Sequence, residues 1–322
     1  MSVLTFTELG KQIAAFLVFK RALGYPYVGG EITLRSFERF ATRERGPTTP
    51  IDLPPTIRAW LLRKSGRKPV TLANNLGVIR QFCLYLRRGD PEAFVPPVSM
   101  APQTESRYVP YVFSPDEVRR LIKAAGQHRG HSFWPGMLRM LLLATYCTGL
   151  RLGEATRLQL DELDQEHDVL HIRRSKGRSR DVPFQRDLAR EFARYLHQRA
   201  DRLRAVGREK ETALFVGRSG RRITVRGAWY VISRLIRHLG IKDQPGRAGP
   251  RPYDLRHAFA VHRLTAWYHE DADLHARLPW LSAYMGHVNI LGTELYLHAT
   301  PELLQLASDR FARRFDQQGK IT

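Results

Sequence analysis

The chain has 322 residues, 43% of them hydrophobic, and carries 52 Lys plus Arg against 31 Asp plus Glu, a formal net charge of +21. At roughly 150 residues per domain this length predicts two domains, each able to bury a core, and the charge excess marks a polyanion binder with nucleic acid as the leading partner. Only two cysteines are present, Cys83 and Cys147, both in apolar surroundings, which argues against a disulfide framework or a cysteine metal site and fits a reducing, cytoplasmic compartment. The apolar run Ile13 to Phe19 is too short to span a bilayer, so neither signal peptide nor membrane segment is expected.

In chain order, Phe6, Leu9, Ile13, Phe16 and Leu17 recur at helical spacing over Thr5 to Leu23, and Gly24 ends the run. A second helix is predicted after Thr33, with Leu34, Phe37 and Phe40 inward. A third, short one capped by Thr56 carries Trp60 and Leu61. A fourth sets Leu72, Leu76, Ile79, Cys83 and Leu86 on one face while Arg80 and Arg87 point elsewhere, as candidate contacts to a DNA backbone. The result is an all-α basic domain, equally readable as a helical bundle with solvated charges. Prolines at 91, 96, 97, 102 and 110 make Gly89 to Pro110 a linker, placing a boundary near residue 105.

Ser114, Pro115 and Glu117 then spell a helix start, with Ser as N-cap and Glu three residues on. An apolar helix follows, interrupted at Gly149 and resumed with Arg151 and Glu154. Their three-residue spacing puts both on one face, so the carboxylate can orient the guanidinium. As a lone pair this is usually a surface salt bridge, but an arginine among apolar neighbours is suited to holding a phosphate. Next, D-V-L-H-I-R-R and S-R-D-V-P-F read as two strands joined by a turn at Gly177. Lys176 stands on that turn, and Arg173, Arg174, Arg178 and Arg180 form a basic edge for a nucleic-acid backbone. Helices over Asp187 to Ala205 and Val225 to Leu239 read as structural. Asp254 is placed to cap a helix whose first turn carries Arg256 and His257, near amides that attract anions.

The stretch Tyr284 to His298 carries two tyrosines and two histidines. Nine residues of unbroken helix would point His287 and Tyr296 oppositely. Gly286 suits a left-handed helix end and Asn289 the N-cap of a new helix, so a break is expected that brings both side chains into one cleft. Tyr284 is expected to pack on the preceding helix. From Pro301 a last helix places Leu304, Ala307, Phe311 and Phe315 on one side.

The ordered set G-L-R-L-G-E, S-K-G-R-S-R-D-V-P, D-L-R-H-A-F-A, M-G-H and Tyr296 nine residues on resembles the tyrosine recombinase (phage integrase) family. The resemblance covers about 112 to 310 and is closest to recombinases of transposon-like elements. It implies an N-terminal all-α core-binding (SAM-like) DNA-binding domain over 1–105. A mainly α-helical α+β catalytic domain with a small antiparallel β-sheet would follow over 106–322. Arg151 matches the first catalytic arginine, Glu154 its acidic companion, Lys176 the hairpin lysine, Arg256 the second arginine, His287 the histidine of the final box and Tyr296 the nucleophile. The departure is Tyr253, where the family usually has histidine or lysine. A phenol with reference pKa about 10 is a poor proton shuttle near neutrality. The longer gap between Arg256 and His287 suggests an inserted turn around Trp267 to Pro279.

The chemistry implied is strand cleavage and rejoining through a phosphotyrosine link to the 3′ end, with Lys176 as general acid to the 5′ oxygen. No nucleotide-binding glycine loop or carboxylate cluster of Mg²⁺ spacing is present, so neither ATP, metal nor other cofactor is expected. Double-stranded DNA is the expected partner and a homotetramer on DNA the expected assembly, with the last helix docking on its own domain or on a neighbouring subunit. Two other readings stand: a catalytically inactive basic DNA-binding protein of the same fold, and an activity like that of type IB topoisomerases.

Overall fold

Apolar residues every three or four positions lay down helices α1 (Phe6–Ala22), α2 (Val28–Glu44), α3 (Leu53–Leu62) and α4 (Pro69–Leu86). The computed structural model describes residues 6–44, 50–63, 66–102, 110–127, 133–173, 179–242, 249–298 and 300–318, and the chain falls into two compact units, Met1–Arg107 and Tyr108–Thr322.

The first unit closes over Leu9, Ile13, Phe16, Phe37, Trp60, Ile79, Phe82 and Cys83. Phe16 makes edge contacts with Tyr27 and Phe82, aromatic pairings that add to area burial. Two helix starts differ from expectation. The second helix begins at Val28, because the Gly pair at 29 and 30 lies inside it although its apolar period starts only at Leu34; Thr33 instead donates its hydroxyl to the Gly29 carbonyl. The third begins after Asp52 with Pro54 and Pro55 in its first turn, and Thr56 is no cap: its hydroxyl donates to the Asp52 carbonyl. Arg80 and Arg87, expected as contacts to a DNA backbone, each use one donor inside the unit, and Arg87 stays exposed. They donate to the carbonyls of Pro96 and Ala93, tying the following segment to α4.

The second unit runs α5 (Pro115–Gly126), α6 (Phe133–Thr148), α7 (Leu152–Ala155), β1 (Leu163–Asp164), β2 (Val169–Ile172), β3 (Arg180–Pro183), α8 (Arg186–Ala205) and α9 (Val225–His238). It ends with α10 (Asp254–His269), α11 (Leu274–Met285), α12 (Leu291–Glu294) and α13 (Pro301–Gln318). The sheet is antiparallel in the order β1-β2-β3, with His171 opposite Asp181 and Ile172 opposite Arg180. Its buried face, Leu170, Ile172 and Val182, joins a core built on α6 residues Met137, Leu138, Leu141 and Leu142. Cys147, on α6, is solvent-exposed, unlike Cys83. The segment from Trp267 to Pro279 holds a short turn over residues 270–273 between two helices. α10 continues to His269, Asp273 caps α11 by accepting from His275 and Ala276, and Pro279 lies within α11. α13 rests on α10, but through buried Leu303 and through Arg310, which donates to the Ala272 carbonyl; Leu304 and Phe311 are exposed. Among the described residues no helix is long and apolar enough to cross a membrane.

Ser114 caps α5 as expected: its hydroxyl accepts from the Glu117 amide and the Glu117 carboxylate accepts from the Ser114 amide. Ser114→Ala is expected to cost about 1 kcal/mol in unfolding free energy, read from urea denaturation; an unchanged midpoint would show that the cap contributes nothing.

Candidate active site

The site is built around one carboxylate. Glu154, 1% exposed at its side chain, is the third residue of α7 and accepts from the amide of Arg151 at its start. Its Oε1 receives Arg151 Nη1 at 2.7 Å and its Oε2 receives Arg180 Nη2 at 3.0 Å, while Arg256 Nη1 stands 3.9 Å from Oε2. Three guanidinium groups thus share one acidic side chain. A largely buried ion cluster of this kind needs further hydrogen bonds to offset desolvation.

Those bonds come from the end of α11. A helix leaves its last carbonyls without intrahelical partners and carries a partial negative charge there. Arg180 Nε donates to the Tyr284 carbonyl at 2.7 Å, Arg256 Nη2 to that of Met285 at 2.7 Å and Arg151 Nη2 to that of Gly286 at 3.3 Å. Gly286 ends the helix in the left-handed conformation, φ 68°, as its sequence predicts. Gly149, also left-handed at φ 61°, offers its carbonyl to Arg256 Nη1 at 2.7 Å, and an added Cβ there would fall 2.5 Å from the Phe259 ring. Glycine is the residue that fits that turn.

The chain turns at Gly286 and restarts at α12, where the Asn289 side chain accepts from the Gly292 amide. This break carries His287 and Tyr296 to the same place, their rings stacked with centroids 6.2 Å apart. His287 Nδ1 shares a hydrogen bond of 2.7 Å with the buried Thr293 hydroxyl. Tyr296, on the turn Leu295–His298, is 4% exposed. Tyr284 stacks on Phe259 of α10 and donates its hydroxyl to the Pro183 carbonyl.

The field of the arginines is visible in the neighbouring pKa values. Burial, then the Arg256, Arg151 and Arg180 charges, lower His287 to about 4. Burial, then Arg251 and Arg256, lower His257 to about 4 as well. Burial pushes the Tyr296 phenol up against the opposing pull of Arg256. Burial and the Arg151 charge draw Arg256 down to about 10, so it stays cationic at neutrality. Arg151 is raised despite its own desolvation, because Glu154 and the Tyr253 hydroxyl face it.

Several expectations are revised by this geometry. Arg180 is no part of an exposed basic edge. It shares the inward face of β3 with Val182, two residues on, and the period-two alternation of that strand was the signal that places it there. Arg173 is exposed beside Asp161 at 3.4 Å. Lys176, Arg174 and Arg178, with the turn at Gly177, lie outside the described residues. Asp254 does not cap α10. It is the first helical residue, and Arg251 holds its carboxylate through its backbone amide at 2.8 Å and Nη2 at 2.9 Å. Arg256 is accordingly buried under the site, not displayed among free amides. Tyr253 is 42% exposed at the site's edge, its ring edge-on to His257 at 5.1 Å. His257, which motif spacing did not single out, meets the Tyr296 hydroxyl through Nδ1 at 3.1 Å. Among the described residues no three His, Cys, Asp or Glu side chains gather as a metal ion would need.

The model of the phage integrase family matches residues 112–302. The chain belongs to the phage integrase family. As a tyrosine recombinase by family, it is 32% identical over 311 residues to a Sinorhizobium fredii protein carrying the name integrase/recombinase y4rB, covering 95% of this chain and 98% of that one. It is 27% identical over 246 residues to the tyrosine recombinase XerC of Staphylococcus carnosus, 76% of each chain. Its fold is that of the Tn1549 transposon integrase solved with a circular intermediate DNA, at a TM-score of 0.65 and 17% identity over 94% of this chain and 99% of that one.

Two outcomes follow for this family member. Glu154→Ala leaves three guanidinium groups without their shared counter-charge and is expected to cost about 3–5 kcal/mol in urea unfolding; a loss within the range of a surface pair, below about 1 kcal/mol, would contradict the arrangement. Both histidines titrate at 6.5 when unexposed to the fold and near 4 within it. The unfolded chain therefore binds their protons first, so their contribution is full above about pH 6.5 and is lost as pH falls toward 4. His287→Asn is expected to flatten the fall in urea midpoint across that window relative to wild type; parallel profiles would refute it.

Proposed function

We propose that this chain is a site-specific DNA recombinase that cleaves and rejoins strands through a 3′-phosphotyrosyl intermediate on Tyr296. The observation that carries the reading is the convergence of Arg151, Arg256, His287 and Tyr296 around a single carboxylate, from parts of the chain remote in sequence. Three guanidinium charges against one carboxylate leave the site in want of an anion, and Arg256 Nε is a buried donor with no acceptor among the described residues. A phosphodiester resists attack because it is already negative, and preorganised donors that strengthen as charge builds up are what its transition state requires.

In this reading Arg151 and Arg256 hold the non-bridging oxygens. His287, held at Nδ1 by Thr293, presents Nε2 as a further donor. Tyr296 attacks phosphorus and forms the ester. Lys176, which falls between β2 and β3 in the sequence, protonates the departing 5′ oxygen. Tyr253, its hydroxyl facing Arg151, contributes a hydrogen bond in place of a proton shuttle. The covalent link conserves the bond for rejoining, so no outside energy source enters. The first unit serves as the core-binding DNA-binding domain, joined to the catalytic domain near residue 105, and the net charge of +21 supports duplex DNA as the partner. The transposon integrase of like fold, seen with DNA, supports the same partner, and a homotetramer on DNA would bring together the strand pairs that exchange.

The test is a nicked suicide duplex carrying a site that the protein selects from random-sequence DNA. Wild type is expected to accumulate a covalent protein–DNA adduct, and Tyr296→Phe to bind that duplex with unchanged affinity and form none. An adduct retained by Tyr296→Phe would rule out Tyr296 as nucleophile.

A further inference from the structure

The residue after Arg256 has no role in the chemistry assigned above, yet it is hydrogen-bonded to the attacking oxygen. His257 lies in the first turn of α10 with its side chain 13% exposed, and its Nδ1 is 3.1 Å from the Tyr296 hydroxyl. Nε2, on the far side of the ring, faces Asp254 Oδ1 at 3.9 Å. The neighbours fix which partner holds the proton. Arg256, which has donors only, lies beside the phenolic oxygen. Asp254, an acceptor engaged by Arg251, favours the tautomer with the ring proton on Nε2. Tyr296 therefore donates and His257 Nδ1 accepts.

We propose that His257 is the proton acceptor that activates Tyr296, a role resting on the strand-transfer reading above. As the Tyr296 oxygen bonds to phosphorus, its proton passes to His257 Nδ1 and the bond from phosphorus to the 5′ oxygen breaks, that oxygen taking a proton from the general acid. On rejoining, the 5′ hydroxyl attacks the phosphotyrosine, its proton returns to the general acid, and His257 Nδ1 returns the first proton to the phenol. Asp254 steadies the imidazolium between the two steps, an arrangement of carboxylate, imidazole and hydroxyl that recurs wherever a weak nucleophile is activated.

Every charged or titratable group facing His257 is consistent with this part. Arg251 and Arg256, with burial, keep the ring neutral in the empty site, and His287 across the cleft is neutral for the same reason. Tyr253, edge-on to the ring, is a phenol and offers no base. A phosphodiester seated among the arginines cancels part of their field, raising the basicity of His257 when the proton must move.

Two variants test it on the selected suicide duplex under single-turnover conditions. His257→Ala removes the acceptor, and His257→Gln keeps a hydrogen-bond acceptor that cannot take a proton. Both are expected to bind DNA as wild type does and to form adduct about 10²–10⁴-fold more slowly at pH 7. The Ala variant should recover as pH rises and on addition of free imidazole. Wild-type speed in His257→Gln, or a loss independent of pH and unmoved by imidazole, would overturn the proposal while leaving the recombinase reading intact. Absence of adduct from wild type itself would overturn both. Should the variants fail to fold, ¹⁵N spectra of the His257 ring in wild type decide: an unprotonated Nδ1 at pH 7 that shifts in Tyr296→Phe supports the role, and a protonated Nδ1 refutes it.

Discussion

The interaction on which the second unit depends is the shared grip of Glu154 and the α11 terminus on three arginines. Like charges held within one buried space repel strongly, and each guanidinium loses its water on entering. Glu154 supplies one full negative charge, while the carbonyls of Tyr284, Met285 and Gly286 supply acceptors where the helix has no other use for them. The balance falls short of neutrality. Burial first, and the uncompensated arginine charge second, hold Arg256 down to about 10 and both histidines near 4 in the same site. A stable but under-compensated cluster is what a site for an anion requires, since complete compensation would leave nothing for the ligand to do.

Local geometry makes that grip possible. Gly149 and Gly286 turn the backbone left-handed at the ends of α6 and α11, and each turn aims a carbonyl at an arginine. Glu154 reaches both the amide and the side chain of Arg151 because α7 begins between them. The break after Gly286 then sends the chain back over α10, so His287 and Tyr296 stack above the cluster while Arg256 lies beneath. The same turns that end the helices bring the ionisable groups together.

What the sequence made legible was local. The capping box at Ser114, the left-handed glycine at 286, the pairing of Arg151 with Glu154 and the break between His287 and Tyr296 each follow from residues a few positions apart. The alternation of β3 turns Arg180 inward with Val182, but its partners there, Glu154 and the Tyr284 carbonyl, are 26 and 104 residues away, and local spacing does not name them. Asp254 has the composition of a cap, but Arg251 takes its carboxylate first, a competition that spacing does not rank. Arg80 and Arg87 each give one donor to a carbonyl, of Pro96 and of Ala93, pairings that helix periodicity does not reveal. His257, beside Arg256, carries no local signal because its meaning depends on Tyr296, 39 residues on.

The contrast between overall charge and site charge is how a chain this basic would keep the proposed chemistry selective. Fifty-two Lys and Arg residues give a long-range pull on any polyanion, but exposed charges act through water, where a pair 4 Å apart is worth about 1 kcal/mol and salt screens it further. Arg256 and Arg180 are 1% and 7% exposed at their side chains. There the same charge acts with less solvent between it and its target, and it is fixed in direction by carbonyls that cannot relax away. On the proposed reading, attraction of DNA is spread over the surface, whereas discrimination of a transition state from its ground state falls to the few cations whose water has been replaced by protein. An exposed arginine added elsewhere on the chain would strengthen the first without entering the second.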